Sequence, residues 1–232
     1  MIAPNGARKV KADHQAIPLD AGEIAAVAGD CLKAGAGAIH FHVRDPNGAH
    51  VLDAGLYREA IAELTRVVPD MHLQITTETV GKYGPEDMRA IVRDVVPQGA
   101  SIGVREMIPQ GLPTPEDITF YNWTHEAGIQ LQHICYGPSD VALLGHLLDA
   151  TQLGLGSVWC LFVLGHYTGR PSHPDLLPPF LAEMEKAGIA GDWAVCAFDT
   201  AEAACLNAAI TAGGKVRVGF ENSMVMADGS KI

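Results

Sequence analysis

Short apolar runs alternate with amphipathic segments along the whole of this chain. The apolar runs have the length and β-branched content of buried strands, and we count eight: "MIAP" at the N-terminus, then 38–43, 72–77, 100–105, 129–136, 157–163, 193–198 and 215–220. Helices are predicted between them at about 20–34, 54–67, 85–95, 115–127, 139–153, 174–187 and 200–212. Several begin with cap or proline signals, such as "PLDAGE" and "TPED", and several end on glycine.

Eight strands separated by seven helices are typical of the α/β class and favour a (β/α)8 TIM barrel. The rival fold, an open doubly wound sheet, usually carries a G-x-G-x-x-G turn after its first strand, and this sequence has none there. We expect one barrel domain over residues 1–232, with a short first strand and, after "ADGSKI", no last helix. An open barrel flank would favour a homo-oligomer, either a dimer or a tetramer.

Composition narrows the function classes. The chain has 232 residues with 16 Lys and Arg against 27 Asp and Glu, a net charge of -11, which disfavours nucleic-acid and membrane-surface partners. No apolar run approaches the ~20 residues of a membrane span, and the N-terminus lacks the core of a signal peptide. The 5 cysteines include no C-x-x-C pair, which argues against a disulfide framework. We expect a cytoplasmic protein that acts on small molecules.

Barrel enzymes carry their active sites at the C-terminal ends of the strands. In this sequence, side chains with metal-binding or acid–base chemistry follow the predicted strands at those ends. They are Asn5 and Arg8 after the first strand; His40, His42, Arg44 and Asp45 on the second; Thr76, Thr77 and Glu78 on the third; Arg105 and Glu106 on the fourth; Gln132 and Tyr136 on the fifth; His166 and Tyr167 after the sixth; Asp199 after the seventh; and Arg217, Glu221 and Asn222 on the eighth.

The second predicted strand, "AIHFHVRD", places two histidines on one face. Because side chains alternate along a strand, His40 and His42 point to one side, whereas Ile39, Phe41 and Val43 point to the other. The apolar side can pack under helices, which leaves the imidazoles facing the barrel interior. A buried polar group without a partner costs ~1–3 kcal/mol, and one divalent cation supplies a partner to both rings. The pattern therefore predicts a metal site.

A third metal ligand is expected from another strand end, with one position left open for substrate or water. Glu221 is the best placed, and Glu78, Glu106 and His166 are the alternatives. Two histidines and one carboxylate suit zinc, while manganese, cobalt and iron stay open.

Three segments resemble the β-keto acid cleavage enzymes, the family typified by 3-keto-5-aminohexanoate cleavage enzyme. "APNGARKVKADHQAIPLDAGEIA" is similar to the opening segment of that family, "AIHFHVRDPNGAHVLD" to its H-x-H-x-R-D strand and loop, and "KVRVGFEN" to its C-terminal V-R-V-G-L-E-D-N. The resemblance runs in order over most of the chain. It implies a zinc-dependent (β/α)8 barrel that condenses a β-keto acid with acetyl-CoA, giving acetoacetate and a new acyl-CoA.

The resemblance also implies residue roles. His40, His42 and Glu221 would hold the metal, and Arg217 would correspond to the arginine that supports the catalytic acidic group. The threonines after the third strand, Thr76 and Thr77, would correspond to a site for the substrate carboxylate.

The proton-transfer group departs from the family pattern. Asn222 stands where the family has an acidic residue directly after the glutamate ligand, and an asparagine cannot accept a proton. Glu78 and Glu106, both at strand ends, are the expected catalytic replacements. The departure also leaves two other hypotheses open: a metal-dependent C–C lyase or hydrolase without CoA, and a non-catalytic barrel that binds a metal or ligand.

The substrate-binding residues depart as well. Arg8 stands where the amine-recognising member has an acidic residue, which favours an anionic or polar substrate tail. Gln132 replaces a glutamate that is usual on the fifth strand. The expected substrate contacts are therefore Arg8, Asn5, Thr76, Thr77, Gln132 and Asn222.

Overall fold

A computed structural model describes residues 1–151, 153–154, 158–166 and 169–232 of the chain. These residues form two compact units, Met1–Ser101 with Arg217–Met224, and Ile102–Val216 with Val225–Ile232. Parallel strands alternate with helices in both, so the α/β (β/α)8 TIM-barrel class predicted from the sequence is confirmed. One domain over residues 1–232 stays a prediction.

The first unit contains strands β1 (Ala38–Phe41) and β2 (His72–Thr76) and the start of β3 (Gly99–Gly103). Helices α1 (Ala21–Lys33), α2 (Ala54–Val67) and α3 (Pro85–Val95) connect or precede these strands. The strands are parallel neighbours in chain order, with His40 opposite Gln74 and Thr76 opposite Ser101. Paired residues of neighbouring strands lie on the same face, so polar side chains of all three strands share one side of the sheet.

Local sequence signals explain where the first two helices begin. The Asp20 side chain accepts a hydrogen bond from the Glu23 N–H and caps α1, and Asp53 caps α2 in the same way. Helix α2 then buries Tyr57 and further apolar residues at helical spacing, and the Tyr57 ring contacts Phe41 of β1 edge to face at 5.9 Å. Phe41 therefore faces the helices.

The second unit begins with α4 (Val104–Met107), α5 (Pro115–Glu126), β4 (Gln130–Cys135) and α6 (Pro138–Asp149). It continues with β5 (Trp159–Leu164), α7 (Leu177–Lys186), β6 (Asp192–Ala197), α8 (Glu202–Thr211) and β7 (Lys215–Val216). Its strands are parallel neighbours in the order β4-β5-β6-β7. A buried cluster on β5, on β6 and just after β6 forms part of its core: Leu161, Val163, Ala194, Cys196 and Phe198.

The predicted first and last strands are much shorter than the sequence pattern suggests. Ile2 makes single parallel bridges to Ile39 and Val218, and β7 has only two residues. At Gly219 (φ +140°), three residues after β7 ends, the backbone lies so close to Ala3 that an added Cβ would be 2.3 Å from the Ala3 carbonyl oxygen. After Val216 the described residues contain no further helix.

The four-residue helix α4 was not predicted, because it is too short to carry a periodic pattern. Tyr167, a predicted strand-end residue, lies outside the described residues, as does Ser157 at the start of the sixth predicted strand. Within the described ranges, no helix has the length and apolar character that crossing a bilayer requires.

Candidate metal centre

Three side chains of the first unit converge on one point. His40 lies on β1 and His42 follows it, on the face opposite to Phe41, and the exposed fractions of the two histidines are 1% and 0%. Their Nε2 atoms are 3.1 Å apart. The Glu221 Oε2 atom lies 3.5 Å from the first and 3.6 Å from the second. The three residues that the strand-end argument favoured as ligands therefore meet, as the metal-site prediction requires.

Glu221 is held in this orientation from two sides. Its backbone N–H donates to the Ala3 carbonyl at 3.1 Å, and its Oε1 atom accepts a hydrogen bond of 3.0 Å from Arg217. The other carboxylate oxygen, Oε2, is buried and has no hydrogen-bond donor among the described residues. Arg217 thus satisfies one oxygen of Glu221 and leaves the second facing the two imidazoles.

The environment of His40 keeps its imidazole neutral. Burial lowers the pKa of His40 from 6.5 to about 3, although the Glu221 carboxylate acts in the opposite direction. The Nδ1 atom of His40 lies 2.9 Å from Oε1 of Gln74, an acceptor, so Nδ1 carries the ring proton and donates it. The lone pair of Nε2 then points at His42, whose Nε2 atom is 3.1 Å away, and at Glu221.

Glu221 is a carboxylate under the same conditions. Burial by itself would raise the pKa of this carboxyl, but Arg217, His40 and His42 together hold the pKa well below its usual range. Lone pairs of a neutral imidazole and a carboxylate therefore face each other across this cluster. A cation between them would remove that repulsion and would give Oε2 of Glu221 its missing partner.

The residues present fit a zinc ion. Two atoms that each lie ~2.1 Å from a tetrahedral metal are ~3.4 Å apart, and the three separations here run from 3.1 to 3.6 Å. The donor set of two imidazoles and one carboxylate is found in zinc sites that keep a fourth position for water or substrate. The centre would therefore have the open position that catalysis needs.

The alternative third ligands lie elsewhere. Glu78 approaches the opposite side of the His42 ring, with its Oε2 atom 3.9 Å from Nδ1. Glu106 and His166 belong to the second unit.

The Glu78 carboxylate lies between the His42 ring and the Arg8 guanidinium. Its Oε1 atom is 3.9 Å from the Arg8 guanidinium, while Oε2 faces His42. Backbone contacts hold the residue: its N–H donates to the Thr76 hydroxyl at 2.9 Å, and its carbonyl accepts from His50 Nε2 at 3.0 Å. Glu78 is thus held beside His42, one of the three candidate metal ligands.

Both predicted carboxylate-binding threonines are buried. The Thr77 hydroxyl donates to the Ser101 carbonyl at 2.8 Å. The Thr76 hydroxyl accepts from Glu78, so its own proton can still be donated, and the Thr76 carbonyl accepts from Tyr57 at 3.1 Å. Their contact with substrate stays a prediction.

Two further predicted residues flank the metal ligands. Asn222 is 3% exposed, and its side-chain oxygen has no donor among the described residues. Asp45 instead accepts the backbone N–H groups of Asn47 and Ala49 and stabilises a turn.

Six of the predicted residues that the structure describes lie in the second unit. The Tyr136 hydroxyl is 3.4 Å from Glu106 Oε1, and Arg105 is paired with Asp140. Gln132 is fully buried, and within the described ranges no group hydrogen-bonds its side-chain amide. The other two are His166, whose ring centre is 5.9 Å from that of Tyr136, and Asp199, which opens a 3₁₀ turn before α8.

Sequence reasoning missed two residues that support the centre. Gln74 sits in mid-strand and was not a candidate, although it shares the interior face with Thr76 two positions on. His50 is not among the strand-end candidates either; its ring centre is 5.1 Å from that of His42, and burial lowers its pKa to about 3. The spacing of Gln74 and Thr76 on a strand was a usable signal, whereas the position of His50 depends on how its loop folds.

A family model described as beta-keto acid cleavage enzyme matches residues 1–232. The 3-keto-5-aminohexanoate cleavage enzyme of Fusobacterium nucleatum subsp. nucleatum is 26% identical over 232 residues, a match that covers 97% of this chain and 82% of that protein.

Solved structures show a shared fold. ObcA in complex with oxaloacetate is similar with a TM-score of 0.69 at 12% identity, covering 90% of this chain. ObcA with a C4-CoA adduct and oxalate gives a TM-score of 0.71 at 13% identity over 90% of this chain. A type I 3-dehydroquinate dehydratase from Clostridium difficile gives 0.60 at 10% identity, over 99% of this chain and 85% of that one. The present chain spans only 57% and 58% of the two ObcA chains.

Proposed function

Because this chain belongs to the beta-keto acid cleavage enzyme family, we propose that it transfers acyl groups between a β-keto acid and acetyl-CoA at a zinc centre. The reaction converts R–CO–CH2–COO⁻ and acetyl-CoA into acetoacetate and R–CO–CoA, so all atoms are retained. The observation that carries the proposal is the convergence of His40 Nε2, His42 Nε2 and Glu221 Oε2 within 3.1 to 3.6 Å.

The metal would be held by those three side chains. When bound, zinc would supply a Lewis acid that polarises the ketone of the keto acid towards loss of a proton from the neighbouring carbon. Arg217 keeps Glu221 ionised and oriented, and Gln74 keeps the proton of His40 on the nitrogen that faces away from the metal. Other divalent metals suit the same ligands.

Glu78 is the proposed proton-transfer group. Asn222 cannot accept a proton, and the Glu78 carboxylate lies beside the ring of a metal ligand. Glu78 would take a proton from C2 of the keto acid, and C2 would then attack the thioester carbon of acetyl-CoA with release of the CoA thiolate. Attack of that thiolate on the original ketone carbon breaks its bond to C2, and C2 takes the proton back. Glu106 is the second candidate for this role.

Substrate recognition is proposed for the polar residues of the strand ends. Arg8, with its side chain 56% exposed, would bind an anionic or polar tail of the keto acid. Thr76 has a hydroxyl proton to donate to the carboxylate. The other proposed contacts are Thr77, Gln132 and Asn222, whereas the side-chain amide of Asn5, also predicted as a contact, is fully engaged by backbone groups.

An acyl-CoA co-substrate is supported by the solved structure in which ObcA carries a C4-CoA adduct.

One observation favours a second function. Asn222 lies buried directly after Glu221, at the position where the family has an acidic residue. A metal-dependent C–C lyase or hydrolase that needs no thioester is therefore the alternative.

The test is a screen of β-keto acids with zinc-loaded protein, with and without acetyl-CoA. The proposal expects acetoacetate only when acetyl-CoA is present, together with an acyl-CoA that carries the R group. Cleavage without acetyl-CoA would support the lyase or hydrolase. Binding without turnover of any keto acid would indicate a non-catalytic barrel. Assembly into a homo-oligomer stays a prediction.

A further inference from the structure

The N-terminal segment Asn5–Lys9 is bonded to the backbone of both chain segments that carry metal ligands. Asn5 is fully buried, and its side-chain amide pairs with both backbone groups of His42: Nδ2 donates to the His42 carbonyl at 2.8 Å, and Oδ1 accepts from the His42 N–H at 3.2 Å. The same amide also bonds Gly6 N–H and the Pro18 carbonyl, at 2.8 and 3.1 Å. Asn5 therefore forms the pair of hydrogen bonds with the His42 backbone that a neighbouring β-strand would form.

The other end of the segment is bonded to the third ligand. The Lys9 ammonium donates to the carbonyl of Phe220 at 2.5 Å and approaches that of Glu221 at 3.5 Å. Between these contacts lies Gly6, which has a φ of +69°. A Cβ added to Gly6 would lie 2.6 Å from Cγ of Glu221, so the glutamate side chain rests directly against this backbone. Only glycine suits both the conformation and the close contact.

A third set of bonds ties the segment to the strand end that follows His42. The guanidinium of Arg44 is buried and donates to the carbonyl groups of Ala7 at 2.6 Å and of Lys9 at 3.1 Å, and also to that of Gly6. The segment is thereby joined to His42, to the residue two positions beyond it, and to Glu221.

We propose that the segment Asn5–Lys9 is a positioning element that sets the separation between the metal-binding atoms of His42 and Glu221, and that Asn5 and Gly6 carry this role. The inference rests on the proposed metal centre. The two ligands lie far apart in the sequence, and the segment bonds the backbone of one and supports the side chain of the other. Because metal affinity depends on how well the ligands are held before the metal arrives, loosening this segment weakens binding without removing any ligand.

The test compares Asn5→Ala and Gly6→Ala with matched controls. Asn207→Ala removes an exposed asparagine from α8. Gly128→Ala imposes a similar backbone strain, because Gly128 has a φ of +70° but has open space where a Cβ would be. Zinc affinity is measured by competition with a chromophoric chelator, the absorption spectrum of bound Co²⁺ reports ligand geometry, and the thermal midpoint is recorded for the metal-free protein.

Both site variants are expected to bind zinc ~10–100-fold more weakly and to alter the Co²⁺ spectrum, whereas the controls keep the affinity of the unaltered protein. A lower thermal midpoint with unchanged zinc affinity and Co²⁺ spectrum would overturn the proposal, since that is the result of a merely structural role. If Asn5→Ala does not fold, Gly6→Ala and the partly exposed Lys9→Met decide the question by the same readouts. Absence of zinc binding by the unaltered protein would instead overturn the metal centre itself.

Discussion

The Nδ1 atom of His40 lies 2.9 Å from Oε1 of Gln74, its register partner on the neighbouring strand. This contact fixes the imidazole tautomer, so Gln74→Met is expected to weaken zinc binding by ~10–100-fold while the chain still folds. Chelator competition measures the effect, and the exposed Gln110→Met is the control. Equal zinc affinity in Gln74→Met and the unaltered protein would show that Gln74 does not support metal binding by His40.

Arg217 is expected to set the pH range in which a bound metal is retained. Burial raises the pKa of the Glu221 carboxyl, and Arg217 is the strongest influence that lowers it. In Arg217→Met the carboxyl therefore takes up a proton at higher pH and competes with the metal. The pH at which half of the zinc is released should move upwards, as followed by a zinc-sensitive dye. The exposed Arg66→Met should leave this pH unchanged, and the same result for Arg217→Met would contradict the assignment.

Glu78 is expected to act in turnover and not in metal binding. Glu78→Gln keeps the shape of the side chain but cannot accept the proton from C2, so kcat should fall by ~10²–10⁴-fold with zinc still bound. The exposed Glu116→Gln serves as the control in the same acetoacetate assay. A loss of turnover in Glu106→Gln, with none in Glu78→Gln, would transfer the role to Glu106.

The metal-free protein should lose stability as the solution is acidified. Burial lowers the pKa of His40 and His50 to about 3 and that of His133 to about 4, from 6.5. Below about pH 6.5 the unfolded chain binds protons that the folded chain does not, so the free energy of unfolding falls as the pH drops towards 4, by up to ~1.4 kcal/mol per pH unit for each histidine. Above pH 6.5 these histidines are neutral in both the folded and the unfolded chain, so they no longer change the free energy of unfolding.

Urea unfolding of chelator-treated protein between pH 7.5 and 5 checks this dependence. His133→Phe should reduce the slope of the free energy of unfolding against pH by up to ~1.4 kcal/mol per pH unit, because one buried histidine no longer titrates. The exposed His173→Phe should leave this slope unchanged. A free energy of unfolding that stays constant over this range would contradict the interpretation of these histidines as buried and neutral.

Much of the fold was predictable because its signals are local. Alternation of apolar runs and capped helices predicted most strands and helices to within a few residues, as with α2 and α3. The shortness of the last strand was not predictable, because the strand-like pattern continues over residues 215–220 although the strand ends at Val216.

The candidate site was predictable only in part. His40, His42 and Glu221 follow from residue type at strand ends, since the fold itself brings those ends together. Gln74 is not a common metal ligand and was therefore overlooked. The bonds of Asn5 to the His42 backbone depend on a tertiary contact that no sequence spacing encodes.

The most direct test of the account is to measure zinc content and acetoacetate formation on one preparation. The protein is stripped of metal and titrated with zinc in the presence of acetyl-CoA and a β-keto acid from the screen. We predict that activity is absent without metal, rises in proportion to added zinc and reaches its limit at one zinc per chain. The Glu221→Gln variant should neither bind the added zinc nor gain activity from it. Full activity in a metal-free preparation would contradict the central claim.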